Sequence, residues 1–262
     1  MLMVYQTGIL FSVPVSSILL GFVFCGTVCS YNFHWYLTPP NVGGPTEKVI
    51  WNIKNKYIHL SLFFIGLGGA VIFGFLLIDH WFWLGITAFV TFLYSAPKIP
   101  YPFFSFLRKI AVGKTIFLAF SWTHVTALLP LVLHHTNLNN AEIFFVVNRF
   151  FFIYAICILF DFRDREHDKK DNIRSLITLL SERGIDIVFW GSILTAFITL
   201  CLLIASLPAT AVIALAIPIV LASILYYPSK KNNSDYLYYF VLDGLMMLSA
   251  PMVVLAKFAR QF

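Results

Sequence analysis

The stretch IFFVVNRFFFIYAICILFDFRDREHDKKDNIRSL, residues 143–176, joins an apolar run to a dense block of charge. The first half is long and apolar enough to cross ~30 Å of hydrocarbon, so it reads as a transmembrane helix. Five of the twelve acidic residues of the chain fall between Asp161 and Asp171, at the mouth of that helix. At 100° per residue, Asp161, Asp164, Asp168 and Asp171 fall within a sector of roughly 80°. Carboxylates facing one way repel unless a cation sits between them. Hard oxygen ligands completed by water suit Mg²⁺, which also takes substrate phosphates.

The rest of the chain has the same character. Hydrophobic residues make up 60% and charged residues 11%, and the mean hydropathy is +0.84. Such a chain is too apolar for a soluble domain. Spans are expected at about 8–31, 58–79, 81–95, 112–134, 140–161, 185–206, 208–227 and 235–257, eight helices with the third short. The continuous runs lack the alternation of a membrane barrel. The expected fold is therefore an all-α, polytopic transmembrane helical bundle filling residues 1–262 as a single domain. No leader with a basic start and a small-residue cleavage site is evident, so the first run is read as a span.

The net charge of +6 does not point to nucleic acid, because of where the charges lie. Fifteen of the eighteen basic residues follow the odd-numbered spans, whereas the loops after spans 2, 4 and 6 carry none. By the positive-inside rule the odd-numbered loops, the acidic block included, face the cytoplasm. Cys25, Cys29, Cys157 and Cys201 all sit in apolar runs without metal-ligand spacing and read as small hydrophobes.

Two motifs carry a resemblance. The pattern D-x-x-D-x-x-x-D, two lysines and Ile-Arg-Ser-Leu resembles the second aspartate-rich motif of the UbiA-type intramembrane prenyltransferases. LYSAPKIP, residues 93–100, followed by Arg108, Lys109, Gly113 and Lys114, is similar to that family's Tyr-Ser-x-Pro stretch and basic loop. The resemblance implies a Mg²⁺-dependent transfer of an isoprenoid group from a prenyl diphosphate to a lipophilic acceptor. It implies Asp161, Asp164 and Asp168 as catalytic, metal-binding residues, with Asp171 a further ligand. It also implies Asn32, Tyr94, Lys98, Arg108, Lys109, Lys170 and Arg174 as substrate-binding residues. The family's first motif, an Asn followed by aspartates, is reduced here to Asn32 in YNFHWYLTPP, with no carboxylate before Glu47. The alternative is therefore a catalytically inactive prenyl-lipid-binding relative or a transporter. Relatives usually have nine helices, so MLMVYQTG is expected to be the tail of a first one. Asp243, inside the last span, is a possible cavity acid or a structural hydrogen-bonding group, and Arg149 is a candidate partner for an acid. A phosphotransferase acting on CDP-alcohols would need a D-G-x-x-A-R motif, which the chain lacks.

Overall fold

A computed structural model describes residues 1–38, 47–99, 101, 104, 113–170, 176–231, 234 and 236–258, and among these no strand occurs. The protein is an all-α bundle. Six helices are long and apolar enough to cross a membrane, and a bent pair at the C-terminal end makes a seventh. Large apolar side chains such as Ile65, Phe75, Ile187 and Ile224 stand exposed on the outer helix faces, as a lipid-facing surface requires.

The expected first span is divided. Leu2–Phe11 forms α1 and Ser17–Tyr36 forms α2. Ser12 takes a left-handed conformation, φ 55°, with its N–H on the Gly8 carbonyl. Pro14, without an N–H, cannot continue the helix. Ser16 then caps α2 by accepting from the Leu19 N–H at 3.1 Å. The apolar run hid the break because each of these residues except the serines is itself apolar.

After α3 (Glu47–Lys54), α4 (Lys56–Phe75) packs along α2. Their approach is set by small residues: a Cβ on Gly66 would meet Cys29 N at 2.6 Å and Cys25 O at 2.9 Å, and one on Gly69 would meet Cys25 Sγ at 2.5 Å. This is close small-residue packing of the kind that brings membrane helices together where no hydrophobic force separates them from lipid. Helix α5 (Trp81–Ser95) has only 15 residues and passes into a 3₁₀ turn, Ala96–Lys98.

Helix α6 (Gly113–Thr123) runs through a π-turn, His124–Leu128, into α7 (Leu129–Val132). Pro130 removes the N–H that would serve the Thr126 carbonyl four residues earlier. Thr7 on α1 donates to that carbonyl instead, at 2.7 Å.

The 31-residue α8 (Asn140–Lys170) is the hub, with Phe152 to Leu159 buried throughout. It packs against α6, α10 (Glu182–Leu203) and α11 (Ala209–Lys231); a short α9 (Leu176–Leu179) precedes α10. A second π-turn, Leu237–Leu242, leads into α12 (Asp243–Met247), and the chain bends by 41° into α13 (Ser249–Phe258). Arg149 of α8 serves this bend. Its Nη2 donates to the Met246 carbonyl at 2.8 Å and its Nη1 to Ser249 Oγ at 3.3 Å, while its guanidinium lies 5.0 Å from the Phe152 ring centre. Among the described residues the partners of Arg149, a candidate partner for an acid, are a carbonyl, a hydroxyl and a ring. Ser249 in turn donates to Gln6 Oε1 at 3.2 Å, and α1 lies against α13.

Candidate functional site

The polar groups gather at the end of the bundle where α2, α5, α8 and α11 finish and α4, α6 and α10 start. Asp161 lies at the mouth of α8, 5% exposed. Its Oδ2 accepts from Thr115 Oγ1, one turn into α6, at 2.7 Å. An acid at this depth requires such polar company. Helix α8 continues without interruption to Lys170, so positions 161, 164 and 168 follow one another along one face. The side chains of Asp164, Asp168 and Lys170 lie outside the described residues, as do Asp171, Arg174, Arg108 and Lys109 entirely. Among the described residues no three His, Cys, Asp or Glu side chains come together as a metal cluster.

A second group forms where α2 meets α5. Lys98 Nζ lies 2.6 Å from His34 Nε2 and donates to Thr38 Oγ1 at 2.7 Å. An ammonium only donates, so His34 Nε2 is the acceptor and the ring proton is assigned to Nδ1. The His34 ring stacks on Tyr94, centroids 4.8 Å apart and planes 14° apart. Thr38 also donates to the His34 carbonyl at 2.8 Å. Tyr94 and Lys98 were expected from the sequence; His34 and Thr38, which orient them, were not singled out for that part.

Asn32 is turned the other way. Its Nδ2 donates to the Val28 carbonyl at 2.8 Å, and its Oδ1 lies 2.8 Å from His59 Nδ1. The far ring nitrogen, Nε2, lies 3.0 Å from Asn52 Oδ1. Asn32, Asn52 and His59 are all buried, so this triad ties α2 to α3 and α4.

A third group was missed in the sequence. Arg165 pairs with Glu182, and Lys230 reaches Asp186 at 2.6 Å and Glu182 at 3.5 Å. Tyr226 donates to Asp186, and the Lys230 ammonium lies 4.6 Å from the Tyr226 ring centre and 5.4 Å from that of Phe162. The signal was available: antiparallel α10 and α11 share a short connection, so the acidic start of one must meet the lysine end of the other. This network holds α8 at Arg165, less than one turn before position 168 of the same helix.

Asp243 opens α12 and is exposed, on a stripe with Tyr236, Phe240 and Met247. At the opposite end of the bundle a cleft of about 680 Å³ is lined by residues that include Gly8, Pro14, Pro208, Val253 and Lys257.

No protein-family model matches the chain, and neither a curated protein nor a solved structure matches it.

Proposed function

We propose that the protein is a UbiA-like membrane prenyltransferase that moves an isoprenoid group from a prenyl diphosphate to a lipophilic acceptor, with its polar end toward the cytoplasm. The observation that carries this reading is the buried carboxylate of Asp161 at the mouth of the central helix, at the same end of an apolar bundle as Lys98. Carboxylates and amines at one surface, above a water-poor interior, suit a ligand with a diphosphate head and a hydrocarbon tail.

The donor set fits Mg²⁺. Asp161 is a hard oxygen ligand held in place by Thr115, and α8 carries positions 164 and 168 along the same face. Asp161, Asp164 and Asp168, with Asp171, would hold the ion, which would neutralise the diphosphate so that it departs more readily. Lys98, oriented by His34 and Thr38, supplies a further positive charge to the head group. Arg108, Lys109, Lys170 and Arg174 are assigned to the same clamp on their sequence pattern. The apolar helices take the isoprenoid tail and keep water from the allylic carbon, so that the acceptor rather than water captures it. The Thr115 hydroxyl holds the Asp161 carboxylate, and the Arg165–Glu182 pair holds the helix that carries positions 164 and 168.

The test is incubation of the purified protein with labelled prenyl diphosphates, Mg²⁺ and a membrane extract, followed by identification of labelled product. Asp164→Asn and Asp168→Asn should abolish both turnover and Mg²⁺-dependent diphosphate binding. Retention of both by these variants would sink the proposal. A second reading, a non-reactive binder of prenyl diphosphates, is favoured by the lack of any carboxylate between Asn32 and Glu47. Binding without turnover at every prenyl length would select it.

A further inference from the structure

We infer that the cleft at the end of the bundle opposite the polar groups binds one anionic phospholipid of the leaflet at that end, its head group on Lys257 and one acyl chain in the cleft. The inference does not rest on what the polar end binds. The cleft follows from the break after α1: Ser12 and Pro14 turn the chain away, so α1 stops short and leaves a gap beside the start of α11 and the end of α13. The gap measures about 680 Å³, within the range of sites that hold small amphiphiles. Its walls include Ile9, Leu10, Val13, Ala211, Val253 and Ala256, and an apolar space of this kind offers water too few partners.

Charge selects the head group. Lys257 lines the cleft, is exposed, and enters none of the ion pairs among the described residues. None of the described residues that line the cleft is acidic. A second cation stands behind the wall. Leu10 and Val253 lie one turn along α1 and α13 from Gln6 and Ser249, and Ser249 accepts from Arg149 at 3.3 Å. The Arg149 guanidinium is buried, and among the described residues no acid faces it. Its field is therefore little screened and favours negative charge in the adjoining space. Gln6, which accepts from Ser249, keeps its buried Nε2 without a hydrogen-bond partner, so no acceptor offsets that charge from α1. Basic residues are otherwise gathered at the polar end, fifteen of the eighteen following the odd-numbered spans, with Arg149 and Lys257 among the exceptions. A lysine at the end of a span lays its stem on apolar surface and lifts its ammonium to the level of the lipid head groups. A lipid phosphate meets Lys257 there while its chain enters the cleft. A zwitterionic head group brings its own cation to the same place and gains less.

The test is native mass spectrometry of the purified full chain in a neutral detergent, titrated with phosphatidylglycerol or with phosphatidylcholine of the same acyl chains. The wild type should bind one phosphatidylglycerol about tenfold more tightly than phosphatidylcholine, the size of one charge-assisted hydrogen bond. Lys257→Met should remove that preference. Lys257→Arg should keep it, which shows that the loss comes from the charge and not from misfolding. Ala256→Trp fills the cleft and should weaken the binding of both lipids. Equal binding of the two lipids by the wild type overturns the inference, as does an unchanged preference in Lys257→Met. Lipid binding indifferent to Ala256→Trp overturns it too, because the lipid then sits on the outer helix faces. Displacement of phosphatidylglycerol by an equal concentration of inorganic phosphate would give the site to a free anion. Tighter binding of a C15 allylic diphosphate, lost in Lys257→Met, would give it to a prenyl diphosphate; either result overturns the phospholipid. The proposed function is decided separately, by Asp164→Asn and Asp168→Asn at the other end of the bundle.

Discussion

Changing Gly66 to Ala tests how the α2–α4 pair sets the site. The added Cβ would sit 2.6 Å from Cys29 N and 2.9 Å from both Cys25 O and Cys29 Cα, all backbone atoms that cannot swing aside. Ordinary contact needs roughly 3.5 Å or more, so the helices must part by roughly 1 Å. His59 lies two turns before Gly66 on α4, and the same displacement there would stretch its 2.8 Å contact with Asn32 past the ~3.5 Å limit of a useful hydrogen bond. Overpacking costs about 1–3 kcal/mol, and a lost hydrogen bond adds about 0.5–1.5 kcal/mol. Gly68, on the same helix, is the control, because a Cβ there meets nothing within 4 Å. Ala at that position should stabilise by up to about 1 kcal/mol through helix propensity and a less free unfolded chain. Thermal unfolding in detergent should therefore move in opposite directions for the two variants. Equal melting of Gly66→Ala and Gly68→Ala would refute the packing argument.

Two other perturbations reach the core. Thr7→Val keeps the shape of the side chain but strips the donor from the Thr126 carbonyl, at a cost of about 1–3 kcal/mol; adding Pro130→Ala returns an N–H to the helix and should recover much of it. A double variant melting no higher than Thr7→Val would exclude this account of the proline. Arg149→Met removes the donors to Met246 and Ser249 and should lower stability by about 1–3 kcal/mol for the orphaned carbonyl. An unchanged or raised melting temperature would mean that the cost of burying the guanidinium cancels its bonds.

The bundle was legible because apolar length is a strong signal, and most helices lie close to where their runs fall. The break at Ser12–Ser16 escaped notice because apolar length counts Val13, Pro14 and Val15 as continuing the run, although Pro14 forbids it. The π-turns at His124–Leu128 and Leu237–Leu242 have no signature in hydropathy at all. At the site, Asp161 was conspicuous as an acid ending an apolar run, and Tyr94 and Lys98 by their motif. Thr115 could not be found, because a hydroxyl in an apolar helix is ordinary until its partner is known. His34 could not be placed, because its contact with Lys98 spans 64 residues of sequence, a distance that no local pattern can bridge.

The contacts of α1 have a consequence for biogenesis. Thr7 completes a helix 119 residues away, and Gln6 accepts from Ser249, 243 residues on. In a chain threaded into the bilayer from its N-terminus, Thr7 can bond the Met3 carbonyl within α1 in the meantime, but Gln6 has to wait for Ser249 until α13 has been made. Closure of the seam between α1 and α13 follows the synthesis of α13, and a nascent chain halted before it would present α1 with an open seam, the state in which membrane quality control would meet it.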